Sequence, residues 1–142
     1  MVWFYQDLAR RIGEERMQHY VDEVGYGNQD ISGGIDRFWL DGGLRITSEQ
    51  QIDVLRRLYH DELPFSQRAM DIVKDILIKE KTHAYVLRAK TGWAGQTGWL
   101  VGYLEQNGNV YFFATTIAIM KSDDTRAREA VTQAVLKHLG LL

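Results

Sequence analysis

At 142 residues, with 45% hydrophobic and 25% charged residues, the chain has the size and composition of one globular domain rather than a disordered segment. A formal net charge of −2 and the lack of any basic run remove the electrostatic reason to expect nucleic-acid binding. Cysteine is absent, which excludes disulfides, thiolate metal sites and a cysteine nucleophile.

The chain opens on the apolar stretch Met1–Gln6, which soon meets Asp7, Arg10 and Arg11. It has neither the basic flank nor the small-residue cleavage site of a signal peptide, and no apolar run is long enough to span a bilayer. Val2, Tyr5, Leu8, Ala9 and Ile12 recur at helical spacing, and Gly13 is placed to end that helix. A second amphipathic helix turns Met17, Tyr20, Val21 and Val24 inward, with Glu14 and Glu15 suited to its first turn. From Gly25 to Asp36 the sequence is loop chemistry, interrupted afterwards by Phe38-Trp39-Leu40. Thr47 or Ser48 caps a third helix, with Gln50 or Gln51 completing a capping box and Ile52, Leu55, Leu58 and Tyr59 on its apolar face. A fourth helix starts near Ser66 and is expected to bury Met70, Val73, Ile76 and Leu77.

The period then changes from helical to extended. Residues 84–90 and 98–105 read as strands, and Asn107-Gly108 is a hairpin signal leading into a third strand, 110–119. Asp123 or Thr125 is expected to cap a last helix with Ala130, Ala134, Val135 and Leu139 inward. The predicted class is α+β: a helical part over about 1–80, then a three-stranded antiparallel meander and a C-terminal helix over about 83–142.

Single residues carry little chemistry. The four histidines lie far apart and in no metal-ligand spacing, so no metal site is expected. The carboxylates are scattered over helix faces, which disfavours a paired-carboxylate hydrolase. Lys90-Thr91-Gly92 at the end of a strand makes an anion-binding edge that a ligand could approach closely at the glycine. Strand follows these glycines, so they fit neither a phosphate loop nor a dinucleotide fingerprint.

Taken together and in order, the motifs are more specific. Tyr26-Gly27-Asn28, Ile31-Ser32-Gly33, Phe38-Trp39-Leu40-Asp41-Gly42, Leu55-Arg56-Arg57-Leu58-Tyr59 and Arg88-Ala89-Lys90-Thr91-Gly92-Trp93 resemble class D (oxacillinase-type) serine β-lactamases. Gly98-Trp99, Val101-Gly102 and Tyr111-Phe112-Phe113-Ala114 continue the resemblance over essentially the whole chain. It implies an incomplete β-lactamase/penicillin-binding (transpeptidase-like) fold that takes β-lactam antibiotics, in a periplasmic or secreted protein. By this resemblance Lys90 draws in the substrate carboxylate, Thr91 hydrogen-bonds it, and Arg128 pairs with it. Gly92 lies in the same motif, and the backbone N–H of Trp93 is one donor of the oxyanion hole. Trp39 holds a carbamate, formed from carbon dioxide on the family's general-base lysine, and Val2 and Leu40 shield it. Tyr26, Gly27 and Asn28 shape the wall of the site. Beyond that carbamate no cofactor is implied.

The family's nucleophile sits in a Ser-x-x-Lys motif, which is missing. Ser32, Ser48, Ser66 and Ser122 are followed at the third position by Ile35, Gln51, Ala69 and Thr125. The Ser-x-Val motif loses its serine as well, with Met1 in the middle position and Val2 in the last. The expectation is a chain that is inactive alone, exposes an apolar patch, and pairs with a missing N-terminal half or a second chain. A β-lactam sensor domain of an inducible receptor is the alternative, with a truncated, non-catalytic product as a third reading; the apolar Leu40 beside Trp39 favours hydrolysis over sensing.

Overall fold

A computed structural model of the chain describes residues 2–142, the side chains of Ser122 and Asp123 excepted. Met1, in the Ser-x-Val match, and the Asp123 capping side chain lie outside the described residues. Helices α1 (Val2–Ile12) and α2 (Glu14–Val24) are followed by a turn-rich stretch, then α3 (Ser48–Tyr59) and α4 (Gln67–Ile76). A meander follows, of β1 (Ile78–Lys81), β2 (Tyr85–Ala94), β3 (Thr97–Gln106) and β4 (Asn109–Ala118), and α5 (Ala127–His138) comes last.

The sheet has the order β1-β2-β3-β4, antiparallel throughout. It therefore contains one strand more than the three expected. Ile78-Lys79-Glu80-Lys81 directly follows a helix and is fully exposed, so its apolar and polar residues do not alternate as a half-buried strand requires. The β3–β4 hairpin turns where the sequence placed it, with Asn107 and Gly108 both at positive φ.

Two layers of helix sandwich the sheet. Leu55 of α3 packs with Val101 and Tyr103 on one face, and Leu136 of α5 packs with Leu87 and Leu104 on the other. A third cluster, Val24, Leu58, Leu63 and Met70, joins α2, α3 and α4. Helix α3 starts as predicted. The Thr47 side chain accepts from Gln50 N–H at 3.2 Å, while Thr47 N–H donates to the Gln50 side chain at 2.9 Å. Thr47→Ala removes the helix cap and is expected to cost about 1 kcal/mol, read as a lower thermal midpoint; an unchanged midpoint contradicts the cap.

Three helix faces differ from the expected ones. In α1 only Ala9 is buried, and Val2, Tyr5, Leu8 and Ile12 stand exposed. In α4 Met70 is buried but Val73 and Ile76 are exposed; the inward line is Met70, Lys74 and Leu77. Lys74 turns in because its ammonium pairs with Asp61 at 2.5 Å while its stem stays covered. In α5 the inward line is Arg128, Thr132 and Leu136, whereas Ala130, Ala134, Val135 and Leu139 face out. Thr132 Oγ1 lies 2.7 Å from Thr115 Oγ1 on β4 and also donates to Arg128 O, so two hydroxyls fix the helix rotation that apolar spacing misjudged. A 3-10 turn, Ser122–Arg126, precedes α5, whose cap position is Arg126.

Candidate active site

β2 sets the frame of the site. Lys90, Thr91, Gly92 and Trp93 pair with Val101, Leu100, Trp99 and Gly98 of β3. Strand alternation puts Lys90 and Gly92 on the face that also carries Val101 and α3, and Thr91 and Trp93 on the face of α5. The strand runs through Ala94, past the end expected at Lys90, and the turn comes at Gly95, at φ +55°.

The β1 pairing stops at Arg88, beyond which Ala89 N–H donates to Leu77 O. In an antiparallel strand, every second residue presents both its N–H and its C=O to the same side. Thr91 and Trp93 therefore direct their backbone groups to the β1 side, along an edge where β1 has ended. Lys90 Nζ donates to the Thr91 carbonyl on that edge at 2.5 Å.

Arg128 reaches the same strand from α5, donating from Nη1 to Gly92 O at 3.0 Å, while its buried Nε has no hydrogen-bond partner among the described residues. Burial, and then the charge of Arg128, holds the Lys90 ammonium below the usual lysine range. No acidic residue contributes to that shift among the described residues. Two cations thus donate to successive carbonyls of β2, Thr91 O and Gly92 O, with one buried Arg128 N–H unpaired among the described residues. Arg128→Ala is expected to move Lys90 up toward its ordinary value, with burial leaving part of the depression. The side-chain NMR titration of Lys90 checks this, and an unmoved titration contradicts it.

The remaining candidates sit in the helical part. Tyr26 donates to Gln51 Oε1 at 3.0 Å, and burial raises its phenol above the usual range. Asn28 accepts from Arg45 N–H at 2.8 Å and donates to Gly43 O at 3.0 Å. Gly27, at φ +59°, lies so close to Arg45 O that a Cβ there would stand 2.1 Å away. Tyr26-Gly27-Asn28 thus pins the two ends of the turn-rich stretch together. Within that stretch Trp39 packs edge-on against Phe38 at 4.9 Å, and its indole N–H makes no hydrogen bond among the described residues. Asp36, nearby in sequence, is gripped by Gln6 and Arg10 of α1, whose first residue, Val2, is 50% exposed. Leu40 is half-buried.

The structure therefore joins Lys90, Thr91, Gly92 and Arg128 through hydrogen bonds and charge. No such bond ties Val2, Tyr26, Gly27, Asn28, Trp39 or Leu40 to them among the described residues. Thr132, which anchors Arg128's helix to β4, was not singled out from sequence; the i, i+4 spacing of Arg128 and Thr132, which puts both on one helix face, was its signal.

Residues 1–138 match the penicillin binding protein transpeptidase domain. The chain belongs to that family. β-Lactamase OXA-48 of Klebsiella pneumoniae is 46% identical over 138 residues, covering 94% of this chain and 52% of that protein. β-Lactamase OXA-3 of Pseudomonas aeruginosa is 42% identical, over 99% of this chain and 52% of its own length. Among solved structures, the class D β-lactamase YbXI from Nostoc superposes with a TM-score of 0.95 at 60% identity, covering 99% of this chain and 62% of its own. FUS-1 (OXA-85), a class D β-lactamase from Fusobacterium nucleatum, also gives 0.95, at 38% identity, with 99% of this chain and 60% of its own. The relatives of this transpeptidase-family chain are thus class D β-lactamases, and the chain spans about half the length of the curated ones it matches. No described helix is long and apolar enough to cross a membrane.

Proposed function

We propose that this chain is the substrate-binding wall of a class D β-lactamase and is inactive by itself. The reading rests on one observation: Lys90 and Arg128, two cations with no acidic neighbour shifting Lys90 among the described residues, donate to the adjacent β2 carbonyls of Thr91 and Gly92. A β-lactam carries a carboxylate, which is the charge this group lacks. Arg128 would turn its unpaired Nε–H to that carboxylate in a charge-assisted bond, Thr91 would donate its hydroxyl, and the Lys90 ammonium would hold the local potential positive. Gly92 leaves the backbone open to close approach. The Trp93 N–H, on the free side of β2, would be one of the two donors that stabilise the oxyanion as the lactam carbonyl becomes tetrahedral.

The serine that attacks and the lysine that serves as base would come from outside this chain, in a missing N-terminal half or a second chain. Carbon dioxide bound as a carbamate on that lysine supplies general-base chemistry in the complete site. The unpaired indole N–H of Trp39 fits a carbamate oxygen, and Leu40 would exclude water from it. Val2, half exposed, would shield it only once another segment covers α1. Tyr26, Gly27 and Asn28 hold the loop that presents Trp39. A periplasmic or secreted location goes with this reading.

Benzylpenicillin titrated into the 15N-labelled chain tests it. Saturable shifts are expected at the Thr91, Gly92 and Trp93 amides, with affinity reduced about 10-fold or more in Arg128→Ala, the loss of one charged hydrogen bond. An absence of saturable shifts, or equal binding by the variant, overturns the assignment. The affinity is also expected to fall as pH climbs through the lowered Lys90 value, earlier than an ordinary lysine would titrate.

A further inference from the structure

Arg128 reaches Gly92 O only if its turn of α5 is held at one height and one rotation over the sheet. Few contacts hold that turn. The helix start has no side-chain cap bond at Arg126. Glu129 pairs with Lys79 at 2.9 Å, but the side chains are 38% and 33% exposed, and water screens a pair of that kind. Leu136, the apolar anchor of α5, stands about 12 Å along the helix axis from Arg128. Between them lies Thr132, one turn from Arg128 and 4% exposed.

The Thr132 hydroxyl has one proton, and its two bonds decide where that proton goes. It donates to Arg128 O at 2.8 Å, so in its 2.7 Å contact with Thr115 Oγ1 it accepts and Thr115 donates. The bonds therefore run one way, from the Thr115 hydroxyl to the Thr132 hydroxyl to the Arg128 carbonyl, and each polarises the next. Strand register places the foot of this relay. Thr115 stands opposite Leu100 of β3, and Leu100 stands opposite Thr91 of β2. Alternation along the strands puts all three on the α5 face. The relay thus ties the backbone of Arg128 to the cross-sheet row that carries Thr91. Gly92, whose carbonyl Arg128 binds, is the next residue of that strand.

We infer that Thr115 and Thr132 are positioning residues for carboxylate recognition: their hydroxyl relay sets α5 over the Thr91 row and so aims the Arg128 guanidinium at β2. This rests on the reading of Lys90, Thr91 and Arg128 as a carboxylate site, and adds two residues that act through Arg128 rather than on the ligand. Threonine suits the task, because the bond to Arg128 O selects one of the two rotamers it keeps in a helix. Valine in either place keeps the shape and loses the proton. Thr132→Val removes both bonds. Thr115→Val removes only the link to the sheet and leaves Thr132 bonded inside its own helix. The two variants therefore separate an anchor on the sheet from a hydroxyl that merely stabilises its helix.

The side-chain NMR titration of Lys90 in the full chain tests this, because it senses where the Arg128 charge stands. In Thr132→Val and in Thr115→Val the Lys90 titration is expected to move up, by no more than in Arg128→Ala. Benzylpenicillin affinity is expected to fall about 5-fold in both, the loss of one hydrogen bond's worth of positioning. Thr132→Ser keeps the proton and is expected to restore both readouts. A Lys90 titration that stays put in either valine variant overturns the inference, even where the thermal midpoint drops, since a purely structural pair would give that result. So does a serine variant that behaves as the valine one, or equal affinity in all forms of a chain that binds benzylpenicillin. Should Thr132→Val lose its fold, Thr115→Val decides, since valine suits a strand. Should the unmodified chain show no saturable benzylpenicillin shifts, the carboxylate assignment falls, and the Lys90 titration alone decides whether the relay sets Arg128.

Discussion

The purified 142-residue chain is expected to hydrolyse nitrocefin no faster than its Lys90→Ala variant. Acyl transfer through serine needs a hydroxyl beside a base; none of the four serines stands in the motif, and the hydroxyls of Ser32, Ser48 and Ser66 lie in turns and helix starts. Ser66 is the N-cap of α4 and accepts from Ala69 N–H at 3.3 Å; Ser48 opens α3; Ser32 lies in a turn whose N–H donates to Asp30. Ser122 leads into Asp123, Asp124 and Thr125, with no lysine at the third position. One oxyanion donor and a carboxylate clamp act on the substrate without providing an attacking atom. Removing a serine nucleophile costs serine hydrolases about 10⁶ in turnover, so the chain should sit at least that far below a complete class D enzyme. Hydrolysis above the Lys90→Ala control contradicts this.

Gly102→Ala is expected to be strongly destabilising. Gly102 lies on β3 opposite Ala89, and a Cβ there would stand 2.0 Å from Arg88 O and 2.8 Å from the Ala89 Cα. Both atoms are backbone of β2, the strand that carries Lys90, so no side chain can rotate to make room. The two strands must separate, at about 3 kcal/mol or more. Gly108→Ala is the control. Open space surrounds it and only its φ of +76° resists a side chain, so about 1 kcal/mol is expected. Urea midpoints measure both; equal losses would mean that strand approach at Gly102 is not what the glycine serves. Gly102→Ala should also weaken the benzylpenicillin shifts, because Thr91 and Trp93 move with β2.

Local signals were legible in the sequence where the cause is local. The Thr47/Gln50 capping box and the Asn107-Gly108 turn depend on residues next to each other, and both stand where the spelling put them. The misread faces depend on partners far along the chain. Lys74 turns inward because of Asp61, and α5 turns Thr132 inward because of Thr115, so apolar spacing alone pointed to Val73, Val135 and Leu139. β1 was invisible because an exposed, charged edge strand has no apolar face to alternate. In the site, Lys90-Thr91-Gly92 was readable as an anion-binding strand end. That Arg128 reaches Gly92 O from α5 was reachable only through family likeness, since 36 residues separate the two. Both α1 and α5 expose apolar residues, among them Trp3, Phe4, Val131 and Val135.

Intact-protein mass spectrometry after incubation with excess benzylpenicillin tests the central claim most directly, because acylation needs a nucleophile whether or not turnover follows. The mass of the chain should remain that of the unmodified polypeptide under conditions where the Thr91, Gly92 and Trp93 amides shift. A stoichiometric adduct of one penicillin, lodged on any serine of this chain, would show that it carries its own nucleophile and that the wall alone is not all it supplies.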